Sequence, residues 1–401
     1  MTGLSILAVW ASTATIAGVR RGNRFFAVFV GALLGLCSLS WAGLFLGHAA
    51  DWVAVALVGQ AMAAVHFIVL SRPRLRPLWY RAMVSVPALT FMAGSLLALP
   101  WALASAVGLP AYGWWVPFVL AGLGAVQSFR NLERDVTIFC DGVDQGEAVV
   151  RLDRPKTRPV RDRVAHGTGT ALRIAQITDP HLGSFMSPER LQRICARAAA
   201  GKPDLVLITG DLLTMESQRS VPEVLAALEP LRALADQTFF CFGNHDHEDR
   251  ASVREVVLEL GATLLVDEWR RVETRAGSVD LIGADWRMSE REEHLTQLFA
   301  DLGQRDQTPR ILMLHDPGAF KYVPPGAADL TLAGHTHGGH VGLLSLGLNW
   351  TMIGAFGSMP DHGLWAKGAN RLYVHRGTGH YGFPVRIGVP GEEGMLEVEF
   401  G

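Results

Sequence analysis

Five short blocks in the second half of this 401-residue chain concentrate carboxylates and imidazoles: Asp179-Pro-His181, Gly210-Asp211, Gly243-Asn-His-Asp246, His315-Asp316 and Gly334-His-Thr-His337. Asp179 and His181 are two apart, as are His335 and His337, so in extended chain both members of each pair can face the same way. Imidazoles, carboxylates and the Asn244 amide oxygen suit hard or borderline divalent cations, which need no thiolate. Cys37, Cys140, Cys195 and Cys241 are widely spaced, with no Cys-x-x-Cys pair, so neither a disulfide framework nor a thiolate zinc site is implied. The glycines before Asp211, Asn244 and His335 permit sharp turns that bring backbone close to an ion.

Strands must position these blocks. Residues 172–178, 204–209, 238–242, 310–314 and 330–333 read as strands, and each leads into one block. Residues 188–200, 221–235 and 251–260 read as helices, and 264–266, 279–282 and 372–375 as further strands. Such alternation predicts an α/β sheet with helices on its faces. Sheets of that kind collect ligands beyond the carboxyl ends of their strands, where the polar blocks fall.

Residues 172–400 resemble the calcineurin-like metallophosphoesterase superfamily, whose pattern Asp-x-His, Gly-Asp, Gly-Asn-His-(Asp/Glu), His, Gly-His-x-His is present here in order. The phrases Leu-Arg-Ile-Ala-Gln-Ile-Thr-Asp, Asp-Leu-Val-Leu-Ile-Thr-Gly-Asp and Gly-His-Thr-His-Gly-Gly are similar to its bacterial membrane-associated branch, which resembles the UDP-2,3-diacylglucosamine hydrolases. The resemblance implies a four-layer α/β/β/α sandwich holding two divalent metal ions, Mn²⁺ first, with Fe, Zn²⁺ or Mg²⁺ as alternatives. Carried over residue by residue, it puts Asp179, His181 and His337 on one metal, and Asn244, His315 and His335 on the second. Asp211 falls between them. His245 matches the histidine that contacts substrate and assists the leaving group. The implied reaction is hydrolysis of a phosphate ester or anhydride by metal-bound hydroxide, on a phosphorylated small molecule or a lipid. It leaves monoesterase, diesterase and pyrophosphatase activity open.

Two positions depart from the pattern: Pro180 stands where leucine is common, and His340 where glutamine is common. Neither is in the ligand set, and His340 is either a group on the substrate rim or an ordinary loop histidine. Asp246 and Asp316 follow ligands and either orient imidazoles or cap turns. Cys241 reads as a buried filler, and His375 and His380 as structural residues.

Composition divides the chain. Residues 1–129 hold seven arginines, no lysine and one acidic residue (Asp51), while the remainder holds 29 basic and 37 acidic residues. This excludes a uniform soluble globule and a disordered polyelectrolyte. An acidic C-terminal half lacks the basic face of a nucleic-acid binder, so no nucleic-acid partner is expected. Apolar runs predict an all-α transmembrane domain of four helices, at 25–47, 52–71, 82–107 and 113–129, with 4–19 as an optional fifth. Arg20, Arg21 and Arg24 share one loop and Arg72, Arg74, Arg76 and Arg81 another, whereas the loops between have no basic residue. By the positive-inside rule the arginine loops are cytoplasmic. The chain therefore reads as an integral protein of the bacterial inner membrane, in contact with membrane lipids, with its C-terminal half on the cytoplasmic side. Gln60 and His66 are expected to hydrogen-bond between helices.

The expected units are a transmembrane domain (1–129), a connector (130–170) and a metallophosphoesterase domain (171–401). Short strands at 136–140 and 148–152 and a basic stretch at 154–163 belong to the connector. The apolar, glycine-rich stretch 338–357 leaves the last metal block directly. It is expected either to pack over the sheet or to form a lip whose Leu343, Leu344, Leu346, Trp350 and Phe356 meet acyl chains. A membrane sensor or channel-like protein with a regulatory phosphoesterase domain is the rival reading, but no predicted span carries Asp, Glu, Lys or Arg. An inert binding module would lack a ligand of the pattern, and none is lacking.

Overall fold

Period-two alternation in the apolar runs builds two sheets that share one core. A computed structural model describes residues 2–47, 49–152, 156–159, 171–357 and 359–401. Its strands are β1 (Asn131–Cys140), β2 (Val150–Arg151), β3 (Lys156–Pro159), β4 (Leu172–Ile177), β5 (Leu205–Thr209), β6 (Thr238–Cys241) and β7 (Thr263–Leu264). They continue with β8 (Glu268–Thr274), β9 (Gly277–Gly283), β10 (Arg310–Met313), β11 (Leu330–Ala333), β12 (Gly363–Lys367), β13 (Asn370–Val374), β14 (Gly391–Glu393) and β15 (Met395–Phe400). One sheet has the order β14-β1-β15-β4-β5-β6-β7, with β3 on β1; the other has β2-β12-β13-β11-β10-β9-β8. Strands β4 to β7 run parallel, as do β9, β10, β11 and β13.

Leu172, Ile174, Leu205, Leu207 and Phe239 point between the sheets, against Val279, Leu281, Ile311, Met313, Leu330 and Leu332. Their neighbours Ala175, Ile177, Val206, Ile208 and Phe240 point outward into the core cluster that takes in helices Pro188–Ala200, Val221–Leu228 and Arg250–Leu260. Ile282, Leu312, Leu314 and Val374 do the same with helix Arg291–Asp301. The result is the expected α/β/β/α order of layers, and a one-residue slip in any central strand would exchange its two apolar faces.

The structure corrects some elements. The helix expected over 221–235 stops at Leu228, and a 3₁₀ segment covers Glu229–Gln237. Pro230 has no N–H to give to Ala226, whose carbonyl instead accepts from Gln192 Nε2 at 3.1 Å. The strand expected at 264–266 is the shorter Thr263–Leu264. Of the basic stretch 154–163, only 156–159 lies among the described residues. Strand β1 pairs in parallel with β14 and β15, and β2 edges the second sheet, so residues 131–151 contribute to both sheets.

The first 129 residues form helices Thr2–Arg21, Arg24–Leu46, Val53–Leu70, Leu78–Leu97, Leu99–Ala106 and Val116–Ser128. Arg24–Leu46, Val53–Leu70 and Leu78–Leu97 are long and apolar enough to cross a membrane; Val116–Ser128 is apolar but has 13 residues. Phe25, Val28, Leu39 and Leu57 remain exposed on the outer faces, as hydrocarbon contact requires. The span expected over 82–107 breaks at Ala98, and its first turn, Arg81–Ser85, widens to π form before Pro87, which has no N–H. Gln60 Nε2 donates to Ser38 Oγ across two helices at 3.2 Å. His66 has no such bond among the described residues and lines a cavity instead.

The arginine-bearing helix ends face the sandwich. Arg21 Nη2 donates to Gln218 Oε1 at 3.0 Å, and Gly388 N donates to Gln127 Oε1 at 2.8 Å.

Candidate metal centre

The loops after β4, β5, β6, β10 and β11 meet at one edge of the sandwich. Asp179, His181 and His337 form one group there and Asp211, His315 and His335 another; within each, one ligand atom per residue lies within 4.8 Å of the others. Asp211 Oδ2 stands between the groups, 3.6 Å from His181 Nε2 and 3.3 Å from His315 Nε2. Asn244 Oδ1 and His335 Nδ1 each lie 3.2 Å from His315 Nε2. All seven sequence-predicted ligands are therefore brought together.

Strand alternation is not what aims them. Asp179 (φ 51°), His181 (48°), Asp211 (56°), His335 (67°) and His337 (49°) are all left-handed, a conformation that costs about 1–3 kcal/mol at each non-glycine residue. Hydrogen bonds enforce it: Asp179 N donates to Gly210 O at 3.0 Å, His181 N to Asp211 O at 3.2 Å, and His335 N to the Asp179 carboxylate at 2.9 Å. Asp246 accepts from the backbone N–H groups of Asp211, Leu212, Leu213 and Gly243 at 2.7–3.3 Å, tying the loops after β5 and β6 together. It organises a turn and does not orient an imidazole. Asp316 likewise accepts from Gly318 N at 2.8 Å and pairs with Arg291. A Cβ on Gly243 would stand 2.2 Å from Asp211 Oδ1, and one on Gly334 2.2 Å from Asp179 Oδ2, so only glycine admits these carboxylates.

The protonation pattern tests the fit to a cation. His181 Nδ1 lies 3.3 Å from Leu213 O, and His315 Nδ1 2.9 Å from Thr209 O. A carbonyl only accepts, so each Nδ1 carries a proton and Nε2 is the atom turned to the cluster. Burial pushes the Asp179 carboxyl up to about 6 and the His181 imidazole down to about 3. Burial also opposes charge on Asp211 and His315, but each overrides it for the other. Asp211 is held well below the usual carboxylate range, and His315 is raised to about 10. A proton on His315 thus occupies the place of a positive charge. Ionised carboxylates taken out of water cost several kcal/mol each unless paired, so the donor set fits divalent cations.

His245 stands beside this cluster. Its N–H donates to Asp211 Oδ1 at 2.8 Å, and its ring Nδ1 lies 3.1 Å from Glu248 Oε1. The Tyr381 ring stacks 5.2 Å from that of His181 and meets His245 at 4.6 Å. Sequence reasoning missed Tyr381 and Glu248; their signals were weak, an aromatic after Gly-Thr-Gly-His and an acid three residues beyond His245. It also missed Arg386, fully buried, whose Nη2 lies 3.1 Å from His337 Nδ1. The His340 ring packs 5.1 Å from His337 and 5.7 Å from His380. His380 also approaches His337, at 5.9 Å, while His375 accepts from Gly377 N at 3.1 Å and is structural. Cys241 is buried in β6, as expected.

Beyond the cluster, 338–357 is packed in part, with Val341 bridged to Ile387 and Gly342 to Thr351, and turns its larger apolar side chains outward. Leu343, Leu346, Leu348, Trp350 and Phe356 are exposed, and Ser345 Oγ accepts from Gln127 Nε2 at 3.1 Å.

Residues 172–339 match the family model for calcineurin-like phosphoesterases. An uncharacterized metallophosphoesterase of Helicobacter pylori (strain J99) is 28% identical over 57% of this chain and 60% of its own length. The phosphodiesterase YaeI of Escherichia coli is 28% identical over 60% of this chain and 87% of its own. A transmembrane protein with metallophosphoesterase domain from Danio rerio is 30% identical over 54% of this chain and 50% of its own. The chain thus spans less than two thirds of the Helicobacter and Danio proteins.

Proposed function

The chain carries a calcineurin-like phosphoesterase domain over residues 172–339, and from that premise we propose that it is a membrane-bound, metal-dependent phosphoesterase. The observation that carries this reading is the pair of ligand groups with Asp211 Oδ2 between them. Asp179, His181 and His337 would hold one divalent ion, Asn244, His315 and His335 the other, with Asp211 reaching both. Mn²⁺ is the first candidate. Such a pair supplies Lewis-acid neutralisation of phosphoryl charge and a water activated at neutral pH. The protein's own residues orient and protonate. His245, with Nδ1 engaged by Glu248, keeps Nε2 for the leaving-group oxygen and can hand it a proton. Tyr381 covers the His181 and His245 rings.

The proposed substrate is a phosphate ester or anhydride linked to a lipid. Support comes from a largely apolar cavity of about 120 Å³, lined by Leu33, Phe67 and Leu89 of the helices and by His181, Met215 and Glu216 of the catalytic loops. It connects the ligand cluster to the helical domain. We place the catalytic domain on the cytoplasmic face of a bacterial inner membrane, because Arg21 and Arg81 lie at the helix ends nearest to it. The proposed units are 1–129, 130–170 and 171–401, with the connector's strands joined to the sandwich.

The test uses the detergent-solubilised full chain, assayed on mono-aryl and bis-aryl phosphates and a nucleoside-diphosphate-linked lipid with Mn²⁺, Mg²⁺ or Zn²⁺. Turnover should require a divalent ion, and Asp211→Ala should lose both bound metal and activity. Two tightly bound metals per chain in that variant, by elemental analysis, would sink the bridging role. Undiminished turnover after chelation would sink the metal-dependent reading itself.

A further inference from the structure

His245 is the end of a hydrogen-bond chain that begins in the first helix of the membrane domain. Arg21, the last residue of helix Thr2–Arg21, donates from Nη2 to Gln218 Oε1 at 3.0 Å. Gln218 Nε2 donates to Glu248 Oε2 at 2.8 Å, and Glu248 Oε1 lies 3.1 Å from His245 Nδ1. Gln218 is buried, so water does not compete freely for its amide. The direction of the chain follows from donor chemistry. A guanidinium has no acceptor, so Gln218 must turn its oxygen to Arg21 and its NH₂ to Glu248. An amide nitrogen only donates, so Glu248 accepts with one oxygen and keeps the other for His245 Nδ1–H. Each member then has one allowed orientation, and the last is the imidazole. Without Arg21 the Gln218 oxygen loses its partner and the side chain its anchor at that end, so Gln218 swings more widely and holds Glu248 and the ring less firmly.

We propose that Arg21 is a positioning residue for the phosphoesterase reaction, acting through Gln218 and Glu248 to hold His245 with Nε2 toward the leaving group. The membrane domain then completes the catalytic site as well as anchoring it. This rests on the role given to His245 above.

The experiment is a double-mutant cycle in the full-length, detergent-solubilised protein, with kcat and KM measured on aryl phosphates of graded leaving-group pKa. Arg21→Ala should lower kcat about tenfold, the effect of one lost hydrogen bond to a charged group, with KM changed less than about twofold. Bound metal and melting temperature should match the parent, and the loss should shrink for leaving groups of low pKa. Arg21→Lys, which still donates to the Gln218 oxygen, should recover most of the rate. In a His245→Ala background Arg21→Ala should have no further effect, because the two act as one unit. Additive losses, a change confined to KM, or a loss of metal would overturn the proposal. If His245→Ala alone leaves kcat intact on poor leaving groups, the reading of His245 fails instead.

Discussion

Five of the seven candidate ligands hold a left-handed backbone, and none of them is glycine. Strain of that kind, repeated at adjoining positions, persists only where the surroundings over-determine it, and it argues for a site shaped by function. Part of this was readable from residue types: the candidate ligands were legible because carboxylates and imidazoles recur at strand ends. The left-handed turns were not, since Asp179-Pro-His181 suggested an extended pair. His245 differs from the candidate ligands in being held by Glu248, outside both ligand groups. His245→Ala should therefore cut kcat by roughly 10²–10⁴-fold, the usual size of an acid–base contribution, with metal retained. The loss should fade as the leaving group becomes more acidic. An equal loss across an aryl phosphate series, or loss of metal by elemental analysis, would remove His245 from that role.

Strands were legible where their outward and inward faces are both apolar and a polar block follows; β4, β5, β6, β10 and β11 all fall where the apolar runs put them. Helices were less so. Pro230 ended one early, and another, uncharged throughout, breaks at Ala98 ahead of Pro100. Contacts made across about half the chain left no local trace: Arg21 and Gln218 are 197 residues apart. The loops matter more to the site than the strands that launch them, because their turns must let one ligand's carboxylate approach another loop's backbone. Gly243→Ala tests this directly. The variant removes no ligand, yet its Cβ would stand 2.2 Å from Asp211 Oδ1 and 2.5 Å from Asp211 N. One side must move, so bound metal should fall well below that of the parent while the far-ultraviolet circular dichroism is unchanged. Full metal occupancy in Gly243→Ala would mean that the loop yields without cost and that Asp211 is not held where the geometry puts it.

At the scale of the whole molecule, the helical domain and the sandwich meet through the arginine-bearing ends of the helices and through the end of helix Val116–Ser128. Gln127 there bonds both Ser345 and Gly388, so the 343–356 stretch is fastened beside the point where the chain leaves the membrane domain. Leu346 is 74% exposed and Phe356 86%, with Leu348 and Trp350 near them in the chain. Soluble surfaces rarely gather large apolar side chains in this way; on the function proposed above, a bilayer surface would cover them. The sequence offered an apolar lip here beside packing over the sheet, and the lip included Leu344, a side chain that is half-buried in the structure. Leu346 and Phe356 are the better probes. Each apolar side chain moved from water into lipid is worth about 1.5–3 kcal/mol when fully buried, so losing two should weaken engagement with a membrane by tenfold or more. Replacing both by serine should therefore slow hydrolysis of a vesicle-presented lipid phosphate at least about tenfold, while a soluble aryl phosphate in detergent turns over at the parental rate. Equal losses on both substrates with a lowered melting temperature would show that the stretch supports the fold. Parental rates on both would show that it stays clear of the bilayer.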